Sequence, residues 1–191
     1  MGVKTRSFVA LAALLVAVPS FAVLQDGAKM NPMVGGMAMM ANRDIVSNAV
    51  NSPDHTTLVA AVKAAGLVET LQGPGPFTVF APTNAAFKLL PDGTVDTLLK
   101  PENKGMLTTV LTYHVVGGRY DAKALKQLIM KGKGTGMLKT VQGGSLTFKM
   151  NGPMNIVVMD EKGGTASIST YDVYQSNGVI QVIDKVLMPG S

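Results

Sequence analysis

The sequence predicts an α+β domain, and two observations carry that reading. From Arg43 to Ile129 apolar residues recur mostly at helical spacing, with one strand-like run at Phe77 to Ala81; from Met137 to Ile183 they alternate with period two. Helices therefore come first and strands later, which argues against a regularly alternating α/β sheet. No repeat occurs at a solenoid period.

The elements can be justified in order. Ile45, Val46, Ala49 and Val50 share one helical face. Asp54 is placed to cap a second helix with the stripe Leu58, Val59, Val62 and Ala65, and Gly66 stops it. Leu67 to Leu71 adds a turn, and "GPGPF" (Gly73 to Phe77) launches the strand. In "TVFAPTNAAFKLLP" (Thr78 to Pro91) Pro82 ends the ladder and Thr83 caps a short helix, so its polar residues all have structural uses. Thr94 to Leu99 reads as another short helix, and Pro101 suits a helix start. Leu107, Val110, Leu111 and His114 form a stripe ending in histidine, closed by Gly117-Gly118. Asp121 caps a helix through Ala124, Leu125, Leu128 and Ile129. Five short strands follow: Met137 to Val141, Ser145 to Met150, Asn155 to Met159, Ala166 to Thr170 and Gly178 to Ile183. Gly143-Gly144, Asn151-Gly152, Gly163-Gly164 and Asn177-Gly178 separate them as turns.

Ahead of the domain, Lys4 and Arg6 precede an uncharged apolar run from Phe8 to Val18, and Ser20-Phe21-Ala22 offers a cleavage site. Residues 1–22 are expected to be an export signal, since that run is well short of the roughly 20 residues a membrane span needs. Residues 23–42 read as a flexible leader rich in methionine (Met30, Met33, Met37, Met39 and Met40), and residues 43–189 as the domain. The whole chain carries a formal charge of +5, mildly basic and no argument for nucleic acid. Without cysteine there are no disulfides, thiol nucleophiles or cysteine metal sites, and no metal site or cofactor is otherwise expected.

"TVFAPTNAAF" (Thr78 to Phe87), "LTYHVV" (Leu111 to Val116) and "SNGVIQVIDKVLMP" (Ser176 to Pro189) stand in the order and spacing of a fasciclin domain, which the chain resembles from Arg43 to Pro189. "LVAAVKAAGLVETL" and "LLKPENK" match as well. The resemblance implies a wedge-shaped β-sandwich with helices packed at one side and end. It also implies adhesion, with cell-surface or matrix proteins and glycans as partners. The contacts it suggests are Tyr113-His114 and the acidic-aliphatic pair Asp172-Val173 ahead of Asn177-Gly178. The family usually carries histidine where this sequence has Gln181. Of the first pair, His114 suits a buried structural hydrogen bond and Tyr113 a surface position.

Enzyme chemistry lacks its parts: His55 and His114 stand far apart, no H-E-x-x-H occurs, and the carboxylates are scattered. Asp160-Glu161 reads as a solvated hairpin tip. From Arg119 to Lys149 seven basic residues face one acid, Asp121. Lys131, Lys133 and Lys139, in a glycine-rich and mobile stretch, are candidates for acidic polysaccharide or anionic lipid headgroups. The function expected is a non-enzymatic, monomeric adhesion or matrix-binding module, secreted or periplasmic. The alternative is a periplasmic Cu(I) or oxidant buffer using the methionines of the leader, since soft thioethers select Cu(I).

Overall fold

The computed structural model describes residues 31–190; the export signal expected at 1–22, the first part of the expected leader and Met30 lie outside them. A hairpin of β1 (Met33–Val34) and β2 (Met37–Ala38) turns through Gly35 and Gly36, both at positive φ. Helices α1 (Ile45–Ala49), α2 (Thr56–Ala65) and α3 (Val68–Gln72) follow, then β3 (Phe77–Pro82) and α4 (Asn84–Lys88). Next come α5 (Thr94–Leu99), α6 (Lys104–Tyr113), β4 (Val115–Gly117) and α7 (Ala122–Lys131). The chain closes with β5 (Gly136–Lys139), β6 (Ser145–Asn151), β7 (Asn155–Met159), β8 (Thr165–Gln175) and β9 (Gly178–Ile183). The fold is α+β, as the sequence predicts.

Local chemistry sets most boundaries. Thr83 accepts from the Ala86 amide and Asp121 from the Ala124 amide, so both expected caps form. Gly66 stops α2 at φ 73°, where an L side chain would be strained. Asp54 does not cap α2: Pro53–His55 forms a 3-10 turn, and the Asn84 side chain reaches across from α4 to accept from the Thr57 amide at 3.0 Å. A cap supplied from 27 residues away cannot be read from local sequence. Val50 follows α1 as its C-cap and is exposed.

Seven strands form one sheet in the order β4-β3-β9-β8-β7-β6-β5, with β3 and β9 parallel and the other pairs antiparallel. The sheet rolls until its edges meet: Val116 bridges Thr140, and the Val141 amide donates to the Val115 carbonyl at 2.8 Å. The roll stacks β3 over β6, with the Phe80 and Phe148 ring centroids 5.3 Å apart. Leu125, Ile129, Leu146, Ile156 and Val158 fill the interior of the roll. A second cluster joins α1, α2 and α6 to the other face of β3 and β9 through Leu58, Val62, Leu111, Val79 and Ile180.

Besides the β1–β2 hairpin, two strands exceed the sequence reading. β4 is too short to show a period. β8 runs on past Thr170 to Gln175 because two register shifts carry it across a bulge at Asp172, whose φ is 57°.

Residues 31–42 correct the expectation of a flexible leader. Val34 and Met39 are buried in the helical-side cluster. The Asn31 side chain both donates to the Tyr174 carbonyl and accepts from the Tyr174 amide. Asn48 does the same for the Met40 backbone, at 2.7 and 3.0 Å. This segment is a strap fastened to the domain.

Candidate functional site

The residues expected to make contacts through Tyr113-His114 are internal. α6 ends at Tyr113, so the two side chains leave the helix in different directions, and both are buried. The Tyr113 hydroxyl donates to the Ser145 carbonyl at 2.8 Å and accepts from the Glu161 amide at 3.1 Å. Burial, with Glu161 and Asp160 nearby, raises its pKa to about 12. A surface Tyr113 is therefore corrected: its ring is wholly enclosed in the rolled sheet. The His114 ring has Nδ1 2.8 Å from the Val110 carbonyl and accepts at Nε2 from the Leu187 amide at 3.0 Å. That fixes the neutral tautomer with the proton on Nδ1. Burial holds the imidazole pKa down to about 4.

His114 thus fastens the C-terminal segment, and the hairpin carrying Asp160-Glu161 fastens it again. Asp160 accepts from the Met188 amide at 2.9 Å and from Gly164 and Lys162; Glu161 accepts from the amides of Ser145 and Gly190. The pair expected to be a solvated tip is a clamp, formed with residues 28 and 29 positions away that a local reading does not connect.

Val173 is internal too, while Asp172 is half-buried with its carboxylate engaged. Val173 is 1% exposed. The Asp172 carboxylate accepts from the Ala122 amide at 2.7 Å, at the start of α7, and from the Gln181 side chain at 3.0 Å. Gln181, fully buried, accepts from the Asp172 amide and donates to the Tyr120 carbonyl. Gln181 is thus a hub tying β9, the β8 bulge and the approach to α7. An amide supplies one donor group and one acceptor here, so the departure from histidine leaves a satisfied network.

The basic stretch is different. Lys131, Lys133 and Lys139 are exposed, as are Lys123 and Lys149. Leu125 and Ile129 bury the opposite face of α7, which turns Lys123, Lys126 and Lys131 outward. The turn after α7 is built rather than mobile: the amides of Gly132, Lys133 and Gly134 donate to Leu128, Met130 and Ile129 carbonyls. Lys133 sits at φ 55° between two glycines, and a Cβ on Gly132 would collide with the Thr135 carbonyl. Lys139 lies at the far end of β5 from this turn; Lys149, next to Phe148 opposite Gly136, lies at the near end. Along the strands, Lys149 is therefore nearer than Lys139 to the turn that carries Lys131 and Lys133. Arg119 turns away, donating to the Gln175 carbonyl at 3.2 Å.

Of the methionines, Met33, Met37 and Met40 are exposed on the strap and Met39 is buried. No helix among the described residues is long and apolar enough to cross a membrane.

A rolled sheet with helices on one side, its two sequence motifs consumed in internal clasps, defines a scaffold of the fasciclin type. The fasciclin domain profile matches residues 53–189, and the chain belongs to that family. It is similar to protein sll1483 of Synechocystis, 40% identical over 185 residues that cover 96% of this chain and 94% of that one. It is also similar to the immunogenic protein MPB70 of Mycobacterium bovis, 36% identical over 203 aligned residues, covering 98% and 96%. The cell surface glycolipoprotein MPB83 of the same species is 35% identical over 160 residues, covering 81% of this chain and 64% of that one. Among solved structures, a FAS1 domain pair from the insect cell adhesion molecule fasciclin I superposes with a TM-score of 0.67 at 19% identity. That match covers 76% of this chain and about half, 51%, of the pair.

Proposed function

We propose that this protein is an exported, non-enzymatic and monomeric adhesion module that binds acidic polysaccharide at the cell surface or in its matrix. The observation that carries the reading is the exposure of the lysines on α7, its following turn and β6, with no carboxylate paired to them among the described residues. Charges free of partners are available to a polyanion, and the hydrogen-bonded turn holds Lys131 and Lys133 in place before a ligand arrives. Kinship supports the cell-surface setting, since MPB83 is named for the cell surface and fasciclin I for cell adhesion. Tyr113, His114 and Val173 are buried and the half-buried Asp172 carboxylate is taken up by Ala122 and Gln181, so the reading rests on the exposed lysines.

The test is binding of the mature chain to alginate across a salt series. Exposed charges are screened within about 10 Å at 0.1 M salt, so affinity should fall steeply as salt rises. Replacing Lys131, Lys133 and Lys149 together by glutamine should remove most of the binding with the melting temperature unchanged, while Lys139→Gln alone costs less. Binding that is insensitive to salt and survives the triple change would refute the proposal.

A further inference from the structure

Among the described residues ten large apolar side chains are exposed, and seven of them are methionine. Methionine ranks among the residues most often buried, so this bias in the exposed set needs a reason. Met33, Met37 and Met40 stand on the strap, Met106 on α6, Met130 on α7, Met137 on β5 and Met154 in the turn between β6 and β7. Their exposure runs from 46% to 77%.

A single docking patch does not account for them, because such a patch is contiguous. The strap and α6 pack into the helical-side cluster, whereas α7 and β5 pack into the roll, so the seven are divided between elements of both cores. What they share is a thioether open to solvent. Its sulfur takes up an oxygen atom to give the sulfoxide, a change that reductases reverse. Cysteine, which would compete for such oxidants, is absent; both histidines are buried; and a lysine ammonium holds no free lone pair. We propose that the exposed methionines are a sacrificial oxidation coat, which reacts with hypohalous acids and related two-electron oxidants before the exposed lysines or the core do. With hypochlorous acid, the S=O bond forms and the O–Cl bond breaks. Sulfur loses two electrons, chlorine gains them, and chloride and a proton leave.

Placement favours this use. An exposed sulfoxide stays in water, so no buried surface is disturbed when it forms. Met39 is the contrast: it is 6% exposed in the cluster with Val34, and its sulfoxide would put an unpartnered oxygen into the core and loosen the strap. The coat also neighbours the basic residues. Met130 precedes Lys131, and Met137 shares the outward face of β5 with Lys139, since that strand alternates buried and exposed positions. Chlorination at nitrogen would remove a lysine's charge, and a thioether beside it intercepts the oxidant. The sequence suggested oxidant buffering by the leader alone; exposure extends it to α6, α7, β5 and the β6–β7 turn, and takes Met39 out of it. This inference is independent of the polysaccharide reading, and its test measures no binding.

The experiment treats the mature chain with graded hypochlorous acid at neutral pH and locates sulfoxides by peptide mass spectrometry, with melting temperature and chloramine content measured at each dose. The seven exposed methionines should convert first, Met39 should remain a thioether, and the melting temperature should hold until the seven are converted. Methionine sulfoxide reductases should then restore them. Glutamine at all seven positions, which keeps side-chain length and solubility, should bring on lysine chloramines at a severalfold lower dose. Conversion of Met39 alongside the seven, a melting temperature that falls with the first equivalents, or chloramines at the same dose in parent and variant would each overturn the proposal.

Discussion

Protonation of His114 should loosen the clasp on the C-terminal segment, and its size follows from the site. The ring is neutral in the folded protein because Nε2 accepts from the Leu187 amide; a proton there would turn an acceptor against a donor. Burial holds the folded pKa near 4, against 6.5 for an ordinary histidine. The folded state therefore binds fewer protons than the unfolded chain between these values, so stability is full above pH 6.5 and falls with pH. One pKa unit is about 1.4 kcal/mol, so this group removes about 2 kcal/mol between pH 7.5 and 5 and about 3 kcal/mol once pH is below 4. His55 has its pKa lowered by burial as well and adds loss of the same sign, so a variant must separate the two. Urea midpoints at pH 7.5 and 5 should be compared for the parent and His114→Gln, which keeps a neutral donor and acceptor. The parent should lose about 2 kcal/mol more than the variant over that interval. Equal losses, or a His114 resonance titrating near pH 6.5 in the folded protein, would refute this account.

Asp160→Ala should destabilise by about 1–3 kcal/mol in urea unfolding, because three backbone amides lose their acceptor, Met188 among them. A chain beginning at Asn42 should melt several degrees below the mature protein, since it lacks Val34 and Met39, each worth about 1.5–3 kcal/mol of burial. Phe80→Ala should cost about 3–5 kcal/mol and Val110→Ala about 1–3 kcal/mol by the same measurement, Phe80 more because it also loses the Phe148 ring.

Sequence by itself determined the α+β class, the caps at Thr83 and Asp121, the stop at Gly66 and the turns between β5 and β9. Each is a local matter, decided by hydrophobic period, φ preference or a side chain within a few residues of the amide it serves. The family was legible for a similar reason: three motifs in register belong to strand, helix and turn junctions that the fold needs. Only the tertiary structure decided what the motif residues do. Nothing in "LTYHVV" says that Tyr113 lies inside the roll or that His114 meets Leu187, 73 residues on. Asp160 looked like a hairpin tip until Met188 came to it, and Asp172 looked free until Ala122 and Gln181 did. The strap, too, has no period to read; it is ordered by Asn31 and Asn48 bonding to distant or bent backbone and by two side chains entering a core made elsewhere. Burial and hydrogen-bond partnership are properties of where the chain returns. That is why the same sequence that reveals its elements conceals which polar side chains are taken up internally and which, like the lysines along α7 and its turn, stay exposed.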